Sequence, residues 1–341
     1  MSYEFLQILW FILIAVLWIG FFFLEGFDFG VGMLLPFLGK KDEERRAIIN
    51  TIGPIWDSNE VWMITAGGAM FASFPQVYAT LFSGFYLALV LMLVALILRG
   101  VAFEYRQKFA DKASRTNWDW AIFIGSALPA LLWGVAVANL MRGVAIDENM
   151  NYWGGLLPLL NPFSILGGLV FVSLFVMHGA NYLALKTEGE IEKRAKDMSF
   201  KSWIVATVLT VLFVVWTFFE TDILTKSGVN GLIPALLAAV ALLTVGYFNK
   251  TGKFGWAFVS GSLTVVFATV MVFAGLFPRI MISTLNPAYS LTIENASASA
   301  YTLQTMTIVT FILLPFVLAY VGWTYYIFRK RIKTDVKTLV Y

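Results

Sequence analysis

The chain is dominated by apolar runs about as long as a lipid bilayer is thick. Nine stand out, near 5–38, 52–74, 76–98, 118–141, 161–186, 201–219, 230–248, 254–277 and 303–328. A helix needs roughly 20 mostly apolar residues to cross the hydrocarbon. Lipid offers no hydrogen bonds, so a spanning segment must satisfy its own backbone as a helix or a closed barrel. The runs are continuous rather than alternating, which argues against a barrel. Composition agrees: 59% of residues are hydrophobic, 13% are charged and mean hydropathy is +0.78. Soluble domains carry about 25% charged residues, and disorder needs low hydrophobicity with high charge. The first run is too long for a simple span, so it tilts or its C-terminal end continues along the interface. It lacks the basic start of a signal peptide and is expected to be retained. The second run is short and polar at its start.

Basic residues test the count, because cytoplasmic loops are enriched in Lys and Arg. With the N-terminus outside, all but three of the 24 basic residues fall on the cytoplasmic side; Arg142, Lys226 and Arg279 are the exceptions. The sequence therefore predicts an all-α polytopic membrane protein with nine transmembrane helices, N-terminus outside and C-terminus cytoplasmic. The basic loops read as topology signals and lipid contacts, not as a nucleic-acid site.

A faint repeat divides the chain. Phe-Phe-Leu-Glu-Gly-Phe-Asp-Phe from Phe22 aligns with Phe-Val-Met-His-Gly-Ala-Asn-Tyr from Phe175. Trp-Ala-Ile-Phe-Ile-Gly-Ser from Trp120 aligns with Trp-Ala-Phe-Val-Ser-Gly-Ser from Trp256. Each pair lies four helices apart, so the partners run the same way across the membrane. Two four-helix bundles (1–141 and 161–277), a ninth helix (303–328) and a basic cytoplasmic tail (329–341) are expected. Parallel repeats are related by an axis along the membrane normal. In this alignment Glu25 corresponds to His178 and Asp28 to Asn181.

There is no Cys, which excludes disulfides, thiolate metal sites and iron–sulfur clusters. His178 is the one histidine, too few for a haem–copper core. A lone intramembrane His is more often a packing residue than a ligand, so His178 is only a weak candidate for cofactor binding. No metal site is expected.

Four acidic residues lie within the first two runs: Glu25, Asp28, Asp57 and Glu60. Each pair is three apart, hence on one helix face. The two helices are sequential and antiparallel, so all four carboxyls are expected to gather near the cytoplasmic side. A charged carboxylate at mid-membrane costs roughly 2.5–3.5 kcal/mol on insertion scales, and acidic chains there mark proton relays. No base lies within those helices; Arg99, in the third, is the nearest candidate partner. The bland reading is structural. Asp57 could cap its helix, and Glu25 and Asp28 could bond across an interface eased by Gly26, Gly30 and Gly32.

These segments carry a resemblance. Glu-Gly-Phe-Asp-Phe-Gly-Val-Gly-Met from Glu25, Trp-Asp-Ser-Asn-Glu-Val-Trp from Trp56, Ile-Thr-Ala-Gly-Gly-Ala from Ile64, Phe-Ser-Gly-Phe-Tyr from Phe82 and Leu-Asn-Pro-Phe from Leu160 resemble subunit II of the cytochrome bd quinol oxidases. The resemblance implies a bacterial plasma-membrane complex that oxidises quinol and reduces dioxygen to water without pumping protons. It implies pairing with a subunit I that carries two b-type haems and haem d, while this chain holds no haem. It also implies a cytoplasmic proton path through Asp57, with Asp28 matching another acidic position close by. On the oxidase reading Glu60, Asp28 and Glu25 relay the proton from Asp57, with Trp56, Asn59 and Arg99 as supporting residues. Glu60 stands where some relatives have an amide, and His178 where relatives can carry Gln. A structural quinone is associated with this subunit in some relatives. A small accessory subunit is a partner on which the sequence is silent. The competing reading is an ion-coupled transporter using the same acids alone; Gly53-Pro54 is its one helix-breaking signal, and it lies at the boundary rather than the midplane.

Overall fold

The computed structural model describes residues 1–334 and Leu339; the expected basic tail, with Lys337, lies partly outside the described residues. The chain is a succession of helices: α1 Tyr3–Leu38, α2 Asp42–Ile52, α3 Trp56–Ser73, α4 Pro75–Gly84, α5 Tyr86–Tyr105, α6 Lys112–Arg142, α7 Pro162–Lys186, α8 Glu190–Glu220, α9 Leu232–Lys250, α10 Phe254–Leu276 and α11 Ala300–Ile327. Among the described residues the sheet structure is one small antiparallel pair, β1 Arg279–Met281 and β2 Leu291–Thr292, in the loop before α11.

Eight of these helices, among the described residues, are long and apolar enough to cross a membrane. The expected second span, 52–74, is not among them. It corresponds mainly to α3, an 18-residue helix into which Asp57 and Glu60 bring charge. The expected third span is divided: α4 ends at Gly84 and α5 begins at Tyr86 after a break at Phe85. The first run ends as one helix at Leu38, and the polar segment after it folds as a separate helix, α2. Two helices outrun their apolar stretches. Asp111 caps α6, accepting from the Ser114 amide at 2.7 Å, which sets its start before the apolar residues begin. The first turns of α8 are charged and held by i,i+3 and i,i+4 pairs, Glu190 with Lys193 and Glu192 with Lys196.

α1, 36 residues long, is the central pillar. It packs against α3, α6, α7 and α10, and α11 rests on it and on α3. α5 packs on α6, α7 on α8, and α9 on α10. Helix association in lipid depends on close packing, because the tails are as apolar as the side chains. The α1–α7 crossing shows it. A Cβ on Gly30 would stand 1.9 Å from the Phe175 carbonyl oxygen, and one on Gly179 would stand 2.4 Å from the Gly30 carbonyl carbon. Only glycine fits at either position. α11, by contrast, is exposed along almost its whole length.

The ends of the molecule differ in charge. At the end holding α2, the C-terminal carbonyls of α1 are met by arginines: Arg45 donates to Gly39 O at 2.9 Å and Arg194 donates to Leu38 O. Cations suit a helix C-terminus. The opposite end is closed by the loops around Val144–Ser283, Ile146–Tyr152 and the β1–β2 pair.

Candidate functional site

The most unusual chemistry lies where α1, α3, α5 and α11 meet. Arg99 of α5 is fully buried. Its Nη1 donates to Glu25 Oε1 of α1, and also to Glu60 Oε1 of α3 at 2.6 Å. Its guanidinium carbon sits 4.8 Å above the Phe29 ring and 5.3 Å from the Phe103 ring. Such faces attract a cation electrostatically. α6 comes close because Gly125 has no side chain; a Cβ there would stand 2.6 Å from Arg99 Cβ.

Asp28, one turn along α1 from Glu25, is also fully buried. Its Oδ2 accepts from Asn59 Nδ2 of α3 at 2.7 Å, and Asn59 Oδ1 accepts from the Tyr325 hydroxyl of α11 at 2.8 Å. Glu25 Oε2, Asp28 Oδ1, and Arg99 Nε and Nη2 are buried with no hydrogen-bond partner among the described residues. Buried polar atoms without partners are uncommon and often bond to ordered water.

The structure thus brings together Glu25, Asp28, Asn59, Glu60 and Arg99. It does not bring Asp57 in. Asp57 lies in the first turn of α3 and is exposed, with no hydrogen bond or ion pair to the cluster among the described residues. The expectation that four carboxyls gather in one place is corrected to three. The reason is angular: i and i+3 on a helix diverge by about 60° at 3.6 residues per turn, enough to put Glu60 inward and Asp57 outward. Trp56 is half-buried with its ring 5.3 Å from Phe103.

His178 is enclosed by rings. It stacks on Phe258 at 4.6 Å and 8°, with Phe23 and Phe27 at 6.0 and 5.9 Å. Neither ring nitrogen has a hydrogen-bond partner among the described residues, and a Cβ on Gly261 would stand 3.2 Å from Nδ1. With aromatic faces packed on it, this histidine does not fit a porphyrin ligand role. Among the described residues, no group of three or more His, Cys, Asp or Glu could hold a metal ion. Asn181 and its neighbours form a smaller uncharged network: Ser199 donates to Asn181 Oδ1 at 2.6 Å, and Asn249 Nδ2 donates to Ser199 at 2.8 Å.

Several partners escaped the sequence reading. Tyr325 and the Phe29–Phe103 pair leave no motif, because they meet Asn59 and Arg99 only in three dimensions. Asp119, near the start of the apolar part of α6, is fully buried and ion-paired. Its Oδ1 accepts from Arg106 Nε at 2.6 Å and its Oδ2 from Arg45 Nη1 at 2.7 Å. Arg106 reaches on to Asp42 at 2.8 Å, as does Arg115. This lattice fastens α2 to the α5–α6 turn. Burial raises the Asp42 carboxyl, but the Arg106 bond and the charges of Arg106, Arg115 and Arg46 outweigh it and hold it below its ordinary range. Glu44 behaves likewise: burial raises it, and the Arg194 bond with the Lys40 and Lys41 amides lowers it further.

Comparison with known proteins gives a consistent result. The family model for cytochrome bd terminal oxidase subunit II matches residues 6–328. The chain is 44% identical over 324 residues to the cytochrome bd ubiquinol oxidase subunit 2 of Bacillus subtilis, covering 95% of this chain and 96% of that one. It is 39% identical over 371 residues to the cytochrome bd-I ubiquinol oxidase subunit 2 of Escherichia coli K12, covering 98% of each. Its fold is similar to a chain in the structure of bd oxidase from Geobacillus thermodenitrificans, with a TM-score of 0.78 and 14% identity over 95% of this chain and 98% of that one.

Proposed function

Since the chain belongs to the cytochrome bd terminal oxidase subunit II family, we propose that it pairs with a haem-bearing subunit I and carries protons from the cytoplasm toward the site of dioxygen reduction. The haems, two b-type and one d-type, belong to the partner and supply the redox chemistry there. This chain's own residues supply support and a proton route. The observation that carries the proton role is the buried guanidinium of Arg99 shared by Glu25 and Glu60, with Asp28 beside them.

Three carboxyl groups face one cation, so the cluster is neutral overall when it holds two protons. Burying uncompensated charge is expensive, which favours states that keep the proton number fixed while protons exchange between oxygens. The unpartnered atoms of Glu25, Asp28 and Arg99 are sites where internal water would bridge the groups. Asp57, exposed at the start of α3, is the entry, and Glu60, three residues on, links it to Arg99. Asn59 and Tyr325 orient Asp28.

In the reading we favour, α3 crosses the membrane as the ninth span and the N-terminus is outside. α1, α3, α5 and α6 then form one bundle and α7–α10 the other. The packing of α7 on α8 and of α9 on α10, and the position of α11 outside both sets, support this division. A transporter acting alone is not favoured: Gly53-Pro54 falls between α2 and α3, not within a spanning helix.

The test is a visible spectrum of this chain tagged and purified gently from its native membrane. A haem d band with a larger co-purifying subunit is expected. Activity of the chain alone as an ion-coupled carrier would overturn the assignment.

A further inference from the structure

We infer that a basic cavity between α7, α8 and the α9–α10 turn binds the phosphate headgroup of an anionic phospholipid. The cavity has a volume of ≈ 490 Å³ and lies at the α2 end of the molecule. Three segments bring cations to it: Lys196 from α8, Lys253 from the α9–α10 turn, and Arg331 from the chain leaving α11. One acid answers them. Glu192 pairs with Lys196 at 2.7 Å and with Arg331 at 3.3 Å, which leaves two positive charges in excess. Lys253 is exposed and makes no ion pair among the described residues.

The rest of the wall is built for a lipid rather than a soluble anion. Leu185, Phe254 and Trp256 line the same cavity, and Lys196 Nζ sits 5.1 Å over the Phe254 ring. Trp256 is 61% exposed, and Tyr247, Val259 and Leu263 leave an exposed apolar face on α9 and α10. Tryptophan favours the membrane–water boundary. A headgroup phosphate seated among the cations would lay its acyl chains on that face. Basic pockets between helices on the cytoplasmic side hold anionic headgroups in this manner. α10 also begins without a side-chain cap, and its first residues, Phe254, Gly255 and Trp256, line the cavity.

The inference takes from the proposed topology only that this end faces the cytoplasm. It is tested on the full chain with whatever co-purifies, delipidated and titrated with phosphatidylglycerol or phosphatidylcholine while bound lipid is counted by native mass spectrometry. Phosphatidylglycerol is expected to bind selectively. Each basic residue contributes about a factor of five near an anionic surface, so a K253Q/R331Q double variant is expected to bind about 30-fold more weakly. E192Q, which frees both cations, is expected to bind several-fold more tightly, and this gain does not depend on the double variant folding. Equal binding of the two lipids, or no change in either variant, would overturn the site. Displacement of phosphatidylglycerol by millimolar inorganic phosphate would assign the cavity to a soluble anion instead. The haem spectrum of the same preparation reports separately on the oxidase reading.

Discussion

Glu25 and Glu60 sit on different helices and are gripped by the same atom, Nη1 of Arg99. The pairing ties α1, α3 and α5 at a point where none of the three groups meets bulk water freely. Removing one partner of a buried ion pair costs about 3–5 kcal/mol, because the remaining charge stays buried. Arg99→Leu is therefore expected to cut the amount of assembled protein sharply. Haem content per milligram of membrane and the half-inactivation temperature measure it; values equal to the parent's would show that the carboxyls do not need the guanidinium.

Asp57 lies outside that knot, so its replacement is expected to separate transport from assembly. Asp57→Asn should leave the haem spectrum intact and slow oxygen consumption at least about tenfold, a barrier increase of about 1.4 kcal/mol. Glu60→Gln should slow turnover too, and it should also lower thermal stability, since Glu60 bonds Arg99 at 2.6 Å. Full turnover in Asp57→Asn would remove the proton entry from this residue.

The α1–α7 crossing makes a steric prediction. Gly30→Ala would place a methyl group 1.9 Å from a backbone oxygen, a clash that side-chain movement cannot relieve. Overpacking of this kind costs typically about 1–3 kcal/mol or more. Membrane levels of the variant should fall. Gly322→Ala on α11, with nothing within 4 Å of its Cβ, is the control that should accumulate normally.

The basic-end lattice predicts an acid sensitivity. The Asp42 and Glu44 carboxyls are held below their ordinary values of 3.8 and 4.5. A depressed folded-state pKa gives stability that is present above the unfolded value and is lost as pH falls through the folded one. Thermal stability should thus decline below about pH 4.5, and Asp42→Asn should flatten part of that decline. Asp42 is partly exposed, so the effect should shrink with added salt. A pH profile unchanged by Asp42→Asn would show that the pair with Arg106 is not what tightens this end.

Much of the architecture was legible because lipid simplifies the code. Apolar length located α1 and α5–α11, and the carboxylates within that apolar sequence marked α1 and α3 as the site. Angular detail was less accessible. Asp57 and Glu60 share a motif, yet one faces out and the other in, which spacing alone does not decide. Tyr325 meets Asn59 across 266 residues of chain, and Arg106 meets Asp42 across 64. Such contacts are set by tertiary packing and leave no local pattern. The charged first turns of α8 were missed for the opposite reason: hydropathy looks for apolar residues, while Glu190–Lys193 and Glu192–Lys196 stabilise a helix through charge.

The pairing of Glu25 with Arg99 also sets a problem of timing. The two are separated by 74 positions in the chain, which at 5–20 residues per second is about 4–15 s of synthesis. For that interval α1 is in or near the bilayer while the cation that will balance it has not been made. The first helix must then either wait in the shelter of the insertion machinery or enter with its acids neutral and surrender protons when α5 arrives. Biogenesis of this subunit is therefore coupled to the order in which its helices are released into lipid, and moving Arg99 later in the chain would lengthen the exposure in proportion.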